Sequence, residues 1–210
     1  VTDWLDEIDA LFMLWYPGRE GGHAIANVLF GKCSPSGKLP VSFPRSIDQL
    51  MPWDVNSLKV DHSLLHGYRL LDHQDTEPEF PFGFGLSYTT FDLGGLQVER
   101  TADYFNVTVS VMNTGNVAGA EIVQLYVSCT DSAVFRVPKE LKGFGRVELE
   151  AGETADLELN LSDEDLRYYD PELNGWVLEP CSYDLQLGVS SRDLPLSSGW
   201  LFDGVEWQPV

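Results

Sequence analysis

The sequence is poor in basic residues. Its 210 positions hold 13 Lys and Arg against 33 Asp and Glu, which gives a formal net charge of −20 at pH 7. Nucleic acids and anionic membranes are bound through basic patches, and this chain has few cations with which to form them. The charge therefore excludes both as partners and favours a soluble, self-repelling surface.

Cysteines and long apolar runs are also scarce. Cys33, Cys129 and Cys181 lack the CxxC spacing of zinc sites, and because their number is odd they cannot all pair with one another. Two alternatives stay open at this point, namely free thiols and a Cys129–Cys181 bridge. No run of about 18 apolar residues occurs, so no transmembrane helix is predicted.

The first residues are acidic and have neither a basic stretch nor the apolar core of a signal sequence. They are interpreted as a cut or processed start, and the compartment stays open between secreted, periplasmic and cytoplasmic. A hydrophobic content of 43%, with 12% aromatic residues, predicts a packed core.

Residues 1–44 have the pattern of one strand between two helices. Apolar residues at helical spacing predict a helix over 3–9, and the continuous apolar run 10–15 predicts a buried parallel strand. A second helix is predicted over 21–31, with Gly31 as its C-terminal cap. One strand cannot form a sheet, so this part predicts the end of an α/β sandwich domain whose other strands lie upstream.

The rest of the chain changes character twice. Residues 45–88 have weak periodicity and are predicted to be an irregular linker that docks on another surface. Short alternating runs then predict an antiparallel β-sandwich over 89–203, followed by a tail at 204–210. The predicted strands are 104–112, 120–128, 144–149, 155–161, 175–179 and 182–190. The fold class is thus α+β overall.

The linker ends in an unusually specified segment, residues 80–91. Pro81 fixes one backbone angle, whereas Gly83 and Gly85 permit angles that other residues avoid. Because aromatic residues alternate with these positions, the segment is expected to dock its rings against another part of the molecule.

Few residues suggest chemistry on their own. Glu20 is the most suggestive carboxylate, because it follows a predicted strand at the start of a predicted helix, where ligands of α/β sheets bind. The alternative is that it caps the helix or pairs with a local cation. His62 and His66 are four residues apart, but a metal site needs a third ligand, so no metal is predicted. Phosphate-binding loops and nucleophile elbows are missing, and no cofactor is expected.

Several aromatic residues are candidates for stacking on sugar rings, since Trp and Tyr combine a flat apolar face with a polar edge. They are Trp53, Tyr68, Phe82, Phe84, Tyr88 and Trp176. The alternative for each is packing in the core or in a domain interface. Two glycosylation sequons start at Asn106 and Asn160 and have meaning only in a secreted eukaryotic protein.

Several motifs together resemble the C-terminal part of the family-three glycoside hydrolases of the β-glucosidase type. They are 15–22 (WYPGREGG), 24–31 (AIANVLFG), 35–44 (PSGKLPVSFP), 67–69 (GYR), 80–91 (FPFGFGLSYTTF), 109–127 and 139–144 (KELKGF). The resemblance extends from about residue 4 to residue 188 and implies a fibronectin type III-like domain for the predicted β-sandwich.

The resemblance implies hydrolysis of terminal β-linked glucosyl or related units, with retention of configuration and without metal or cofactor. In this family the nucleophilic Asp belongs to an N-terminal barrel, and the acid/base belongs to an upstream loop. Neither motif occurs here, so no catalytic residue is assigned, and the substrate-binding residues stay unknown. The implied partners are the barrel, the remainder of the α/β domain and a β-linked glycoside. The alternative function is a stand-alone β-sandwich module that binds carbohydrate or protein.

Overall fold

The computed structural model describes residues 2–52, 54–60 and 62–210. Its helices are short. They are α1 (Thr2–Leu5), α2 (Gly21–Leu29), α3 (Tyr68–His73) and α4 (Asp163–Leu166), with one 3-10 turn at Ile47–Gln49. Among the described residues, no helix is both long enough and apolar enough to cross a membrane.

Ten strands make up most of the regular structure. They are β1 (Phe91–Arg100), β2 (Tyr104–Asn113), β3 (Gly119–Cys129), β4 (Glu140–Leu149), β5 (Thr154–Ser162), β6 (Tyr168–Asp170), β7 (Gly175–Val177), β8 (Ser182–Gly188), β9 (Leu196–Phe202) and β10 (Trp207–Pro209). Every pairing between them is antiparallel. A three-stranded sheet has the order β1-β2-β5, a five-stranded sheet has the order β10-β9-β8-β3-β4, and β6 pairs with β7 alone.

The two larger sheets enclose the core of the sandwich. Strand β2 shows the period of two most clearly, because Phe105, Val107, Val109 and Val111 point inward and are fully buried. They pack against the inward side chains of the facing sheet, which include Leu125 and Leu185. The prediction of an α+β chain that ends in an antiparallel sandwich is confirmed.

Strand β3 is buried on both faces. Its inward residues belong to the core, but the outward-pointing Gln124 and Tyr126 are also buried. They are covered by residues 32–88, here called the connecting segment. Ser191 donates its backbone N–H to the Phe82 carbonyl at 2.8 Å, and Gln124 donates to the Gly83 carbonyl at 3.1 Å. Parts of the connecting segment therefore form a second layer over the outer face of β3.

The prediction of a buried strand over residues 10–15 is wrong. The structure gives these residues no strand, and Leu11, Met13 and Trp15 are 42%, 46% and 47% exposed. A strand forms only by pairing with a neighbour, and the described residues offer none at this place. The predicted helix over 3–9 is also shorter, because α1 ends at Leu5.

The second predicted helix is present as α2. Gly31 follows it with φ +70°, the left-handed conformation that glycine adopts easily. The N–H of Gly31 bonds to the Val28 carbonyl at 2.9 Å, and the N–H of Lys32 bonds to the Asn27 carbonyl at 2.8 Å. This pair of bonds is a Schellman motif, so the prediction of Gly31 as a cap is confirmed.

The structure also adds order where the sequence predicts little. The stretch expected to be irregular contains α3, and residues 207–209 of the predicted tail form β10 and pair with β9. Cys129 and Cys181 form a disulfide across a Cα–Cα distance of 6.7 Å, whereas Cys33 is a free, exposed thiol. The alternative of a Cys129–Cys181 bridge is therefore the one the structure contains.

Candidate functional site

The specified loop at residues 80–91 folds back on the start of the connecting segment. Gly83 has φ +81° and lies so close to Gln124 that a Cβ atom would overlap its side-chain amide. The N–H of Gly83 bonds to the Leu39 carbonyl, and the N–H of Leu39 bonds to the Phe84 carbonyl, both at 2.8 Å. Lys38 adds a bond from its Nζ to the Gly85 carbonyl at 3.0 Å. Glycine is thus required at position 83 both by its conformation and by the close approach of β3.

Aromatic rings join this loop to the sandwich. The Tyr68 ring lies 5.0 Å from that of Phe82 and 5.9 Å from that of Tyr126, and the N–H of Leu141 donates to the Tyr68 hydroxyl at 2.9 Å. Burial, reinforced by Tyr68 and Asp72, raises the pKa of Tyr126 above its usual value. Its hydroxyl therefore stays protonated and donates to the Gln124 Oε1 at 2.8 Å.

A group of ion pairs then fixes α3 to the sandwich. The Asp72 carboxylate, only 4% exposed, lies 2.7 Å from the Lys139 Nζ and 3.1 Å from the Arg192 Nη2. Arg69 pairs with Glu140 at 3.1 Å beside them. These five residues are here called the ionic clamp. Sequence reasoning missed Asp72, Lys139 and Arg192, because charged residues far apart in a chain give no local signal of pairing.

The aromatic residues proposed for sugar stacking separate into two sets. Tyr68, Phe82 and Phe84 are half-buried in the contacts between the connecting segment and its surroundings, which supports packing. Tyr88 donates its hydroxyl to the Val28 carbonyl at 2.9 Å and so links α2 to the loop. Trp176 lies on the hairpin of β6 and β7 and is 66% exposed. Trp53 lies outside the described residues.

Glu20 lies at the start of α2 with its side chain 76% exposed. It makes no capping hydrogen bond, and its Oε2 lies 2.8 Å from the His23 Nδ1. Two roles were weighed for Glu20, and pairing with a local basic side chain fits this geometry. The contacts described for Glu20 include no further polar side chain that would help it to bind a ligand.

His62 and His66 lie near one another with ring centroids 6.4 Å apart, and the His66 Nδ1 lies 2.8 Å from the Ser63 carbonyl oxygen. Both rings line a mainly apolar cavity of about 360 Å³ beside α3. Within the described ranges, three possible metal ligands meet only at Cys129, Glu179 and Cys181, where the two sulfurs already form the disulfide.

The first thirty residues carry a broad exposed surface of large apolar side chains, here called the apolar face. Its members are Trp4, Ile8, Leu11, Phe12, Met13, Leu14, Trp15, Tyr16, Leu29 and Phe30. Tyr16 and Phe30 are the most exposed of them, at 98% and 82%. Soluble proteins rarely leave so many large apolar side chains of one short stretch in water, so the apolar face is suited to packing against further protein.

Known families match both halves of this architecture. Residues 1–88 match the glycosyl hydrolase family 3 C-terminal domain, and residues 121–191 match the fibronectin type III-like domain. The chain is the C-terminal part of a family 3 glycosyl hydrolase. The resemblance in the sequence motifs is therefore confirmed, and β-glucosidases are among the relatives of this family 3 chain.

Individual relatives cover nearly the whole chain. A β-glucosidase of Bacteroides ovatus is 37% identical over 204 residues, which are 91% of this chain and 27% of that protein. An exo-α-(1→6)-L-arabinopyranosidase of Bifidobacterium longum is 37% identical, over 97% of this chain and 28% of that protein. A crystal structure of the β-glucosidase of Kluyveromyces marxianus in complex with glucose matches 99% of this chain and 26% of that chain, with 36% identity and a TM-score of 0.87.

The family 3 chain thus spans about a quarter of the length of the relatives it matches. This share agrees with the prediction that the sequence is one portion of a larger glycosidase. The names of the relatives include more than one sugar, so the match to the C-terminal part does not assign a substrate.

Proposed function

We propose that the chain is the non-catalytic C-terminal portion of a retaining β-glucosidase-type hydrolase and has no glycosidase activity alone. The apolar face carries the proposal. It belongs to the α/β part of the chain, whose apolar run at residues 10–15 has no sheet neighbour among the described residues, whereas the sandwich encloses its own core. We infer that the face packs on the remainder of an α/β domain that belongs to the catalytic portion.

Retaining hydrolysis needs two carboxyl groups about 5–5.5 Å apart. One attacks the anomeric carbon and forms a glycosyl–enzyme ester, while the other protonates the departing oxygen. Water, deprotonated by the second group, then attacks the same carbon and releases the sugar with its original configuration. We assign both carboxyl groups to the catalytic portion, because the acid most suggestive in this chain, Glu20, is exposed and paired with His23.

Under this proposal the chain has a structural role and supplies no catalytic group. Tyr88 ties α2 to the loop at residues 80–91, and the ionic clamp ties α3 to the sandwich. These contacts give the α/β fragment a fixed place on a rigid support. Such supports hold reacting groups in productive geometry even though they never touch the substrate.

The direct test is hydrolysis of 4-nitrophenyl β-D-glucoside by the purified 210-residue chain. We expect no turnover alone, and turnover after co-expression with a polypeptide that carries a family 3 barrel and the rest of the α/β domain. Glu20→Gln is expected to leave the reconstituted rate unchanged, as is Glu148→Gln, a control carboxylate with 71% side-chain exposure.

Turnover by the chain alone that survives repeated purification and disappears in Glu20→Gln would contradict the proposal, since it would place a catalytic carboxylate here. The alternative of a stand-alone module makes a different prediction. It requires the purified chain to stay monomeric, with the apolar face in water and no gain in stability when the catalytic portion is added.

A further inference from the structure

The small hairpin of β6 and β7 presents two aromatic rings to solvent. Tyr169 and Trp176 lie directly opposite one another in the antiparallel register, so their side chains share one face of the hairpin. Their ring centroids are 5.7 Å apart at an angle of 75°, and the residues are 48% and 66% exposed. The exposure of Trp176 leaves much of its indole ring open to a ligand.

The other face of the hairpin holds it in place. The Arg136 guanidinium lies 5.2 Å from the centroid of the Tyr168 ring, donates to the Leu166 carbonyl at 3.1 Å, and lies 3.6 Å from the buried Glu179 carboxylate. Because Tyr168 neighbours Tyr169 in β6, these contacts fix the strand that carries the exposed pair. The two exposed rings are therefore pre-positioned rather than free to collapse against the surface.

The turn of the hairpin adds a polar rim to the rings. The Asp170 Oδ1 accepts from the N–H of Glu172 at 2.8 Å and from that of Leu173 at 3.2 Å. Asn174 adopts φ +49°, and its Oδ1 accepts from the Tyr169 hydroxyl. The Asn174 amide nitrogen and the Trp176 indole N–H have no partner in the part of the chain that the structure describes, and each remains available to a ligand oxygen.

From this arrangement we propose that Tyr169, Trp176 and Asn174 form a surface site for a pyranose ring of a neutral, β-linked glucan. A pyranose offers an apolar face of C–H groups to the indole and equatorial hydroxyls to donors at its edge. The net charge of −20 opposes polyanions, whereas a neutral saccharide is not repelled. The choice of β-linked glucose as the sugar rests on the proposed function, but binding at this site requires no catalytic group.

The test is isothermal titration of the purified 210-residue chain with cellotetraose and with laminaritetraose, with maltotetraose as the α-linked comparison. We expect weak binding of at least one β-linked tetrasaccharide, and a loss of affinity of about tenfold or more in Trp176→Ala. Trp176→Phe should retain part of the affinity, because it keeps a flat ring but loses the indole N–H.

Phe144→Ala is the matched control, since Phe144 is also 66% exposed but lies on β4 without an aromatic partner among the described residues. Circular dichroism and the thermal midpoint should be unchanged in both alanine variants. Equal affinity in Trp176→Ala and the parent chain would overturn the proposal, as would an absence of binding up to about ten millimolar, near the weak limit of measurable affinity.

A negative titration accompanied by protection of Trp176 from solvent when the catalytic portion is added would instead assign the pair to a contact between domains. Activity of the reconstituted enzyme is measured separately. A failure of saccharide binding therefore leaves the proposed function standing, and a failure of reconstitution leaves the binding result standing.

Discussion

Removal of the Asp72 carboxylate should release the connecting segment from the sandwich. In Asp72→Ala, the side chain of Lys139, only 13% exposed, keeps its charge and loses the acid 2.7 Å away. Breaking a buried ion pair on one side typically costs about 3–5 kcal/mol, because the remaining charge is stranded. Arg192 is less affected, since it keeps the Thr76 carbonyl at 2.8 Å and Glu77 at 3.5 Å. We therefore expect a loss near the lower limit, about 3 kcal/mol.

Two measurements check this value. Urea unfolding gives the change in free energy, and hydrogen exchange locates it. The amides of Leu141 and Ser191 donate to the Tyr68 hydroxyl and to the Phe82 carbonyl, both of which lie in the connecting segment. Their exchange should accelerate in Asp72→Ala more than that of amides in the centre of the sandwich, because the segment opens before the core does.

The exposed pair of Arg146 and Glu148 supplies the control, with side chains 51% and 71% exposed. Glu148→Ala should change the unfolding free energy by less than about 0.5 kcal/mol, as surface pairs do. Asp72→Ala combined with Lys139→Ala should cost less than the sum of the single changes, because the stranded charge is gone. A loss below about 1 kcal/mol in Asp72→Ala, with unchanged exchange at Leu141 and Ser191, would refute a stabilising role for the clamp.

Three further predictions concern stability. Gly83→Ala should lower the urea midpoint far more than Gly152→Ala, because both have positive φ but only Gly83 lies against a buried side chain. Burial raises the pKa of Tyr183 to about 12, from 10 when exposed, so its stabilising effect is full below pH 10 and is lost as the pH rises toward 12. Unfolding midpoints between pH 9 and 12 should therefore fall more steeply in the parent chain than in Tyr183→Phe. Replacing Cys129 and Cys181 by Ser opens a link of 52 residues and should cost about 4 kcal/mol in urea unfolding.

The β-sandwich could be predicted because its strands alternate between core and surface. In β2 every second side chain is fully buried, so the period of two appears in the sequence itself. Strand β1 gives a weaker pattern, because a register shift between Gly94 and Gln97 interrupts the alternation. The last strand was missed because three residues are too few to show any period.

The error at residues 10–15 has a different cause. A continuous apolar run indicates that a segment is buried in its native surroundings, but it does not say whether the covering residues belong to the same sequence. Here they do not lie among the described residues, and Leu11 and Met13 are left more than two-fifths exposed. The apolar run at residues 10–15 therefore predicts that this segment packs against further protein, although it does not form a strand among the described residues.

Contacts between residues that are far apart in the chain limit how much of the candidate site can be predicted from the sequence. Sequence reasoning singled out Tyr68, Phe82 and Trp176 because aromatic rings can stack on sugars, but it could not separate the two that pack from the one that is exposed. The pairing of Asp72 with Lys139 and Arg192 had no signal, because 33 acidic residues offer many equivalent partners. Only the folded arrangement decides among them.

The distribution of exposed apolar surface divides the chain into a part that is complete and a part that is not. The sandwich buries Phe105, Leu125 and Leu185 fully between its own sheets. The apolar face has no such cover among the described residues, although the Tyr88 hydroxyl, which donates to the Val28 carbonyl at 2.9 Å, links α2 to the connecting segment. A sandwich with a closed core attached to an incomplete α/β fragment is the arrangement expected of a support, because the support must be rigid before the fragment meets the surface that completes it.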